Sequence, residues 1–221
     1  MKDYLQILYN DTKRTHYLYS LAKYLYNRFD LKKNQKLIDI GCGRGDFLKT
    51  FTFYGLDCTG VDSSDQSVQD LVEYGVKKCN LEEDALPYED DYFDVVYHKS
   101  VIEHLADPSN LMKESLRILK PGGRLIVLTP EWKSQINTFY DDYTHVRPYT
   151  VTSLEYLFRH YGCVDIQTER FYQLPLLWRH SYLKILARLL QLFCPIEVAR
   201  KMGSIRWLVE LMAMATAKKE E

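Results

Sequence analysis

The stretch Leu37-Ile38-Asp39-Ile40-Gly41-Cys42-Gly43-Arg44-Gly45-Asp46-Phe47 constrains the fold more than any other. A short apolar run carrying Asp39 near its end breaks into glycines at alternate positions and resumes with a helical pattern. That sequence reads as strand, tight turn and helix N-terminus. Alternate glycines let the backbone adopt φ > 0 and approach a ligand without Cβ interference. Such a turn on the first strand of a doubly wound sheet is where Rossmann-type folds hold a pyrophosphate. The dinucleotide pattern, however, asks for a glycine three places after the second, where this chain has Asp46, and the Gly-Lys-Ser/Thr ending of a P-loop is absent. An acid at the mouth of the turn suits a cationic ligand end. Asp39 is therefore the expected partner of an ammonium, with Gly41, Cys42, Gly43 and Gly45 as the cradle.

The next acidic landmark, Asp62, closes a second apolar run, Leu56-Asp57-Cys58-Thr59-Gly60-Val61. An acid at the end of a second strand can accept both hydroxyls of a ribose. A nucleoside with a charged amino-acid tail fits the two acids together.

Further motifs follow in order: Gly60-Val61-Asp62, then Leu86 to Tyr97 (Leu-Pro-Tyr-Glu-Asp-Asp-Tyr-Phe-Asp-Val-Val-Tyr), then Ile102-Glu103-His104-Leu105-Ala106-Asp107-Pro108, then Leu119 to Val127 (Leu-Lys-Pro-Gly-Gly-Arg-Leu-Ile-Val). With the glycine turn, they resemble the successive motifs of class I S-adenosylmethionine-dependent methyltransferases, strongly over 36–129 and more loosely to about Phe171. The resemblance implies an α/β fold: a doubly wound, Rossmann-like sheet of seven mostly parallel strands with an antiparallel last strand and added helices. It implies S-adenosylmethionine as cofactor and S-adenosylhomocysteine as product. It also implies that Ser63 follows the ribose acid and that Asn80 and Leu81 lie near the adenine edge, although Asn80 serves equally as a turn former. Tyr97, His98, Lys99 and Ser100, at the carboxyl end of the fourth strand, are expected beside the methionine portion.

At 221 residues the chain has the length of one α/β domain. The expected division is a helical cap over 1–35, a cofactor-binding core over 36–129, a substrate loop, helix and strand over 130–171, a helical insertion over 172–207, and a last strand and tail over 208–221. Basic and acidic residues balance at 29 against 30, a formal charge of −1, which disfavours nucleic acid as a partner. Five scattered cysteines without a Cys-x-x-Cys pair suggest reduced thiols in the cytoplasm. The N-terminus lacks the hydrophobic core of a signal segment, so a cytoplasmic protein, at most peripheral at a membrane, is expected.

Apolar spacing predicts a leading helix over Asp11 to Asp30, crossover helices over Arg44 to Tyr54 and Gln66 to Tyr74 (capped by Ser63 or Ser64), and a helix over Pro108 to Leu119 stopped by Pro121-Gly122-Gly123. Strands are expected over Arg124 to Thr129, Val164 to Phe171 and the end of Leu208 to Lys218, the last against its helical propensity. The acidic runs Glu82-Glu83-Asp84 and Glu89-Asp90-Asp91 read as a solvated face.

The loop Tyr140 to Thr150 leaves the catalytic side of the fifth strand and carries a base, an acid and a cation within a few positions. His145 is the candidate general base, with His104 in reserve or simply packing. Asp142, Arg147 and Glu103 are candidate substrate contacts. No metal is expected, because Asp141 and His145 alone fall short of a ligand shell. In the insertion, Trp178, Leu183, Leu186, Leu190 and Phe193 fall at helical spacing beside Arg179, Lys184 and Arg188, and Glu197 is the only acid between Tyr172 and Arg206. This is a lid, a dimer helix, or a membrane contact through 178–193. The expected activity is methyl transfer to a small-molecule or lipid-linked acceptor, chiefly to oxygen, with a sugar among the acceptors. The alternatives are a quinone or polyprenyl-precursor methyltransferase at the membrane surface and a non-catalytic cofactor-binding subunit; oligomeric state stays open.

Overall fold

A computed structural model of the chain describes residues 15–194 and 196–221. They fall into two compact units. The first runs to Lys99 and adds Asp107–Ile126 and Lys218–Glu221; the second comprises Ser100–Ala106 and Val127–Ala217.

The first unit opens with α1 (Tyr17–Arg28), which buries Leu21, Ala22 and Leu25. Residues 11–14 of the expected leading helix lie outside the described residues. Strand β1 (Lys36–Ile40) leads through the glycine turn into α2 (Asp46–Phe53), and β2 (Asp57–Asp62) into α3 (Asp65–Asp70). The second crossover helix is shorter than its spacing predicted, breaking at Leu71 into a 3-10 turn over Val72–Tyr74. Its cap is Ser64, whose hydroxyl accepts the Ser67 N–H. Strand β3 is only Lys77–Lys78, so Asn80 and Leu81 lie beyond it. Then come β4 (Phe93–Lys99) and α4 (Ser109–Ile118).

Strand β5 (Leu119–Pro130) begins earlier than expected and passes from the first unit into the second. The helix α4 ends at Ile118, before Pro121-Gly122-Gly123 as expected, but these three residues lie within β5. Gly122 donates to Lys219 O at 3.0 Å and Lys219 donates to Gly123 O at 3.1 Å, a partner that helix-stop signals cannot reveal. Glycine is needed at 123, where a Cβ would stand 2.7 Å from Lys120 O.

The second unit continues with α5 (Trp132–Gln135), α6 (Val151–His160), β6 (Val164–Phe171), α7 (Pro175–Arg179), α8 (Leu183–Phe193), α9 (Ile196–Ala199), α10 (Arg206–Val209) and β7 (Met212–Lys218). Thr150 caps α6 through a reciprocal pair with Ser153. The expected continuous stripe from Trp178 to Phe193 is divided between α7 and α8. Trp178 turns its indole N–H to Tyr172 O at 2.7 Å and stacks on Phe171, which removes it from the α8 surface.

The seven strands follow the order β3-β2-β1-β4-β5-β7-β6. β1 runs parallel to β2 and to β4, and β2 to β3. Glu131 N–H to Leu211 O at one end and the Lys219 pair at the other make β7 antiparallel to β5. Leaving β1 toward β2 or toward β4 reverses the direction in which the sheet grows. The carboxyl ends of β1 and β4 therefore mark the switch where open α/β sheets take ligands.

Candidate active site

The residues proposed for catalysis and binding gather in two clusters, one in each unit. In the first, the turn after β1 is held by its own backbone. Gly41 and Cys42 both donate to Val61 O, and Gly45 donates to Cys42 O. Gly41, Gly43 and Gly45 all have positive φ, between 52° and 71°. At Gly45 the positive φ favours glycine, and a Cβ would come within 2.5 Å of the Leu71 side chain, which would have to shift. Asp62 braces the turn: Oδ2 accepts the Gly43 N–H at 2.7 Å and Oδ1 the Ser64 N–H at 2.9 Å. Ionised carboxylates hold about four lone-pair sites, so ribose hydroxyls can still bind beside these two donors.

Asp39 and Asp62 are both buried. Burial pushes the Asp39 carboxyl well above its ordinary range, Asp62 and Asp46 add to the effect, and Lys99 opposes it. A carboxyl so placed is an unfavourable charge that an ammonium would stabilise. The register sets Tyr97 opposite Asp39 on the same face. The Tyr97 hydroxyl is buried between Phe47 and Phe51 and has no hydrogen-bond partner among the described residues. Glycine cradle, paired acids and an available hydroxyl fit S-adenosylmethionine.

The remaining first-unit residues are placed less directly. His98 follows Tyr97 and so faces the other side of β4, fully buried, where burial holds its ring down to about 3. Cys42 is buried and burial pushes its thiol up, which makes it packing rather than a nucleophile. Ser63 is exposed. Asn80 accepts the Glu82 N–H through its side chain, the turn-forming role, and Leu81 O accepts from Asn110. Lys99 closes β4, and in the second unit Ser100 takes φ 57° and donates to Leu128 O.

Asp39 gives a pH prediction. A folded value above the unfolded one means that the folded chain holds the proton more tightly. Its stabilising contribution is whole below the unfolded carboxylate pKa of about 3.9 and is lost as pH climbs through the raised folded value. The Tm of the ligand-free protein should fall across that interval, while the Tm gain on adding S-adenosylmethionine should grow. Calorimetry at stepped pH checks this; a ligand shift independent of pH would remove Asp39 as the ammonium partner.

The second cluster assembles around the 3-10 turn Ile102–His104. Glu103 O accepts the N–H groups of both Val146 and Arg147, docking the loop so that the His104 and His145 ring centroids lie 4.9 Å apart. His145 Nδ1 lies 2.7 Å from Phe139 O; a carbonyl only accepts, so Nδ1 carries the hydrogen and Nε2 of the neutral ring is bare. Thr144 Oγ1 donates to Asp142 Oδ1 at 2.6 Å, and so accepts from His104 Nδ1 at 2.9 Å. His104 Nε2 is bare by the same logic. Burial and the neighbouring His145 hold His104 below its usual range. Burial raises Asp142, but the Thr144 donors and both histidines outweigh it and leave the carboxylate low. The buried Glu103 accepts from Thr129 through Oε2. Arg147 is exposed and donates to Ala106 O, bracing the loop. Asp141 is held by Arg200, which also grips Glu210, so the insertion ties down this loop. Spacing alone identified neither Arg200 nor the facing of Tyr97, since both depend on partners distant in sequence.

The methyltransferase-domain family matches residues 13–168. Phosphoethanolamine N-methyltransferase 3 of Arabidopsis thaliana is 33% identical over 114 residues, 48% of this chain and 23% of that protein. Ubiquinone biosynthesis O-methyltransferase of Coxiella burnetii is 28% identical over 143 residues, 62% of this chain and 56% of that protein. A SAM-dependent methyltransferase structure from Archaeoglobus fulgidus superposes with a TM-score of 0.67 at 24% identity, covering 98% of this chain and 100% of that one. The match to the plant protein spans less than a quarter of that protein's length.

Proposed function

Because the chain belongs to the methyltransferase-domain family, we propose that it transfers a methyl group from S-adenosylmethionine to a small-molecule or lipid-linked acceptor, in the first place to oxygen. The chain then works as one methyltransferase domain. The observation that carries this reading is the Asp62 brace on the glycine turn at the end of β1, with buried Asp39 beside it. When bound, the cofactor supplies a methyl group already activated by a sulfonium. Few residues then need to do chemistry; they align the acceptor and exclude water. Asp39 and Tyr97 hold the amino-acid end and Asp62 the ribose.

An alcohol keeps its proton at neutral pH and gains from a base within hydrogen-bond reach. We assign that role to the bare Nε2 of His145, whose ring has His104 beside it. With the cofactor held by Asp39 and Asp62 to supply the activated methyl group, His145 Nε2 would take the proton that the acceptor hydroxyl gives up. An amine acceptor needs less help, and relatives named for N-transfer keep that class open to test.

A lipid-linked acceptor is favoured by α8. Tyr182, Ile185, Leu186, Leu189 and Phe193 form one exposed stripe, with Leu186 at 65% and Phe193 at 83% exposure. Arg179 and Arg188 are exposed nearby, and Glu197 is the only acid between Tyr172 and Arg206. Apolar surface beside unopposed positive charge suits an anionic bilayer. No described helix is long and apolar enough to cross a membrane.

Methyl-labelled cofactor offered with aqueous and lipid-extracted acceptors tests both levels. Label is expected in the lipid fraction. Cosedimentation should require anionic vesicles, weaken with salt and fall in Leu186→Asp. Label confined to aqueous acceptors would remove the lipid reading; no label, with no cofactor bound, would remove methyl transfer itself.

A further inference from the structure

The donors in the second cluster have the chemistry of a metal shell. One oxygen of Glu103 and one nitrogen from each of His104 and His145 lie within 4.8 Å of one another. Metal-bound histidines characteristically donate their other ring N–H to a carbonyl or carboxylate-linked partner, which fixes the tautomer and the ring. Both histidines here do so, to Phe139 O and to Thr144, and Thr144 is itself oriented by Asp142. The Nδ1 contacts leave both Nε2 lone pairs bare, on rings whose centroids lie 4.9 Å apart at 56° beside the buried Glu103. Asp142 Oδ2 lies 3.8 Å from His145 Nε2 and adds negative charge at the rim.

We infer that Glu103, His104 and His145 bind one divalent transition-metal cation. Two imidazoles and a carboxylate suit zinc, cobalt, manganese or iron better than calcium or magnesium, which prefer all-oxygen shells. Bonds of about 2.0–2.2 Å bring tetrahedral donors about 3.3–3.6 Å apart, so the rings close in by small rotations. Three protein ligands leave a coordination position open. The inference rests on the proposed acceptor site only for what that position receives, an acceptor hydroxyl whose proton then leaves to solvent because the metal, not a base, has made it acidic. Cation and proton compete for the same Nε2 atoms, so the loaded protein uses His145 as a ligand.

Chelator-stripped protein is titrated with Zn²⁺ by calorimetry and with Co²⁺ by visible absorption, neither of which needs turnover. One equivalent is expected, with d–d bands for cobalt. Glu103→Gln, His104→Ala and His145→Ala should each weaken binding by about 10-fold or more. Asp62→Ala should leave it unchanged. Nitrogen NMR of the wild type avoids any folding defect in the variants: both Nε2 resonances should move on adding Zn²⁺. No saturable equivalent, or unmoved Nε2 resonances, overturns the inference. Metal bound without methyl transfer to any acceptor would instead remove the proposed function and leave the site standing.

Discussion

Asp62→Ala is expected to lower affinity for S-adenosylmethionine by about 10²- to 10⁴-fold. Hydrogen bonds to a charged group contribute about 1.5–3 kcal/mol each. Two ribose hydroxyls on one carboxylate therefore account for about 3–6 kcal/mol, and every 1.4 kcal/mol is tenfold. The substitution also leaves the Gly43 and Ser64 N–H groups without their acceptor, which loosens the turn. Set against this, it removes a buried charge that helps push the Asp39 carboxyl up. The ligand-free variant should therefore stay folded, with a small Tm change, while losing its ligand. Asp62→Asn keeps one acceptor oxygen and should fall between the two. Calorimetric titration measures all three; equal affinity in wild type and Asp62→Ala would dismantle the cofactor assignment.

What the sequence made legible was local. The glycine turn, Asp62 and strands β4 and β6 are written in contiguous residues whose periodicity and turn chemistry agree. Where pairing partners are remote, local signals misled. Pro121-Gly122-Gly123 has the composition of a stop, yet Lys219, near the end of the chain, draws it into β5. Met212–Lys218 has helical propensity, yet it forms the expected last strand, buried almost throughout between β5 and β6, where small residues alternating with methionine fit a central strand.

The site divides in the same way. The place of Asp39 near the end of β1, before the glycine turn, was readable because the acid, strand and turn are contiguous in sequence. Tyr97 and His98 were read together as part of one tetrad, and only the register with β1 shows that Tyr97 is the one that shares a face with Asp39. The second cluster was readable residue by residue but not as a group. Spacing set Asp141 and His145 side by side only as too small a ligand set; in the fold Arg200 takes Asp141 and the Glu103 carbonyl draws the loop over His104.

His145→Ala is expected to spare cofactor affinity and to lower kcat by about 10²- to 10⁴-fold with an oxygen acceptor, the usual range for a lost general base. Whether Nε2 takes the acceptor's proton or holds a cation that acidifies it, the same atom is removed. The ring also packs against Phe139 at 4.5 Å, so some stability goes with it. His145→Gln keeps much of that volume and separates packing from chemistry. If both variants lose kcat while their melting points differ, the nitrogen is what matters; if kcat follows stability, His145 is a strut. The acceptor atom makes a further distinction. An unprotonated amine needs no base, so an enzyme acting on nitrogen should show the His145→Ala defect mainly in acceptor KM, with kcat reduced far less. Steady-state kinetics at saturating cofactor decide between these outcomes, and a wild-type kcat together with an unchanged acceptor KM would exclude His145 from the reaction.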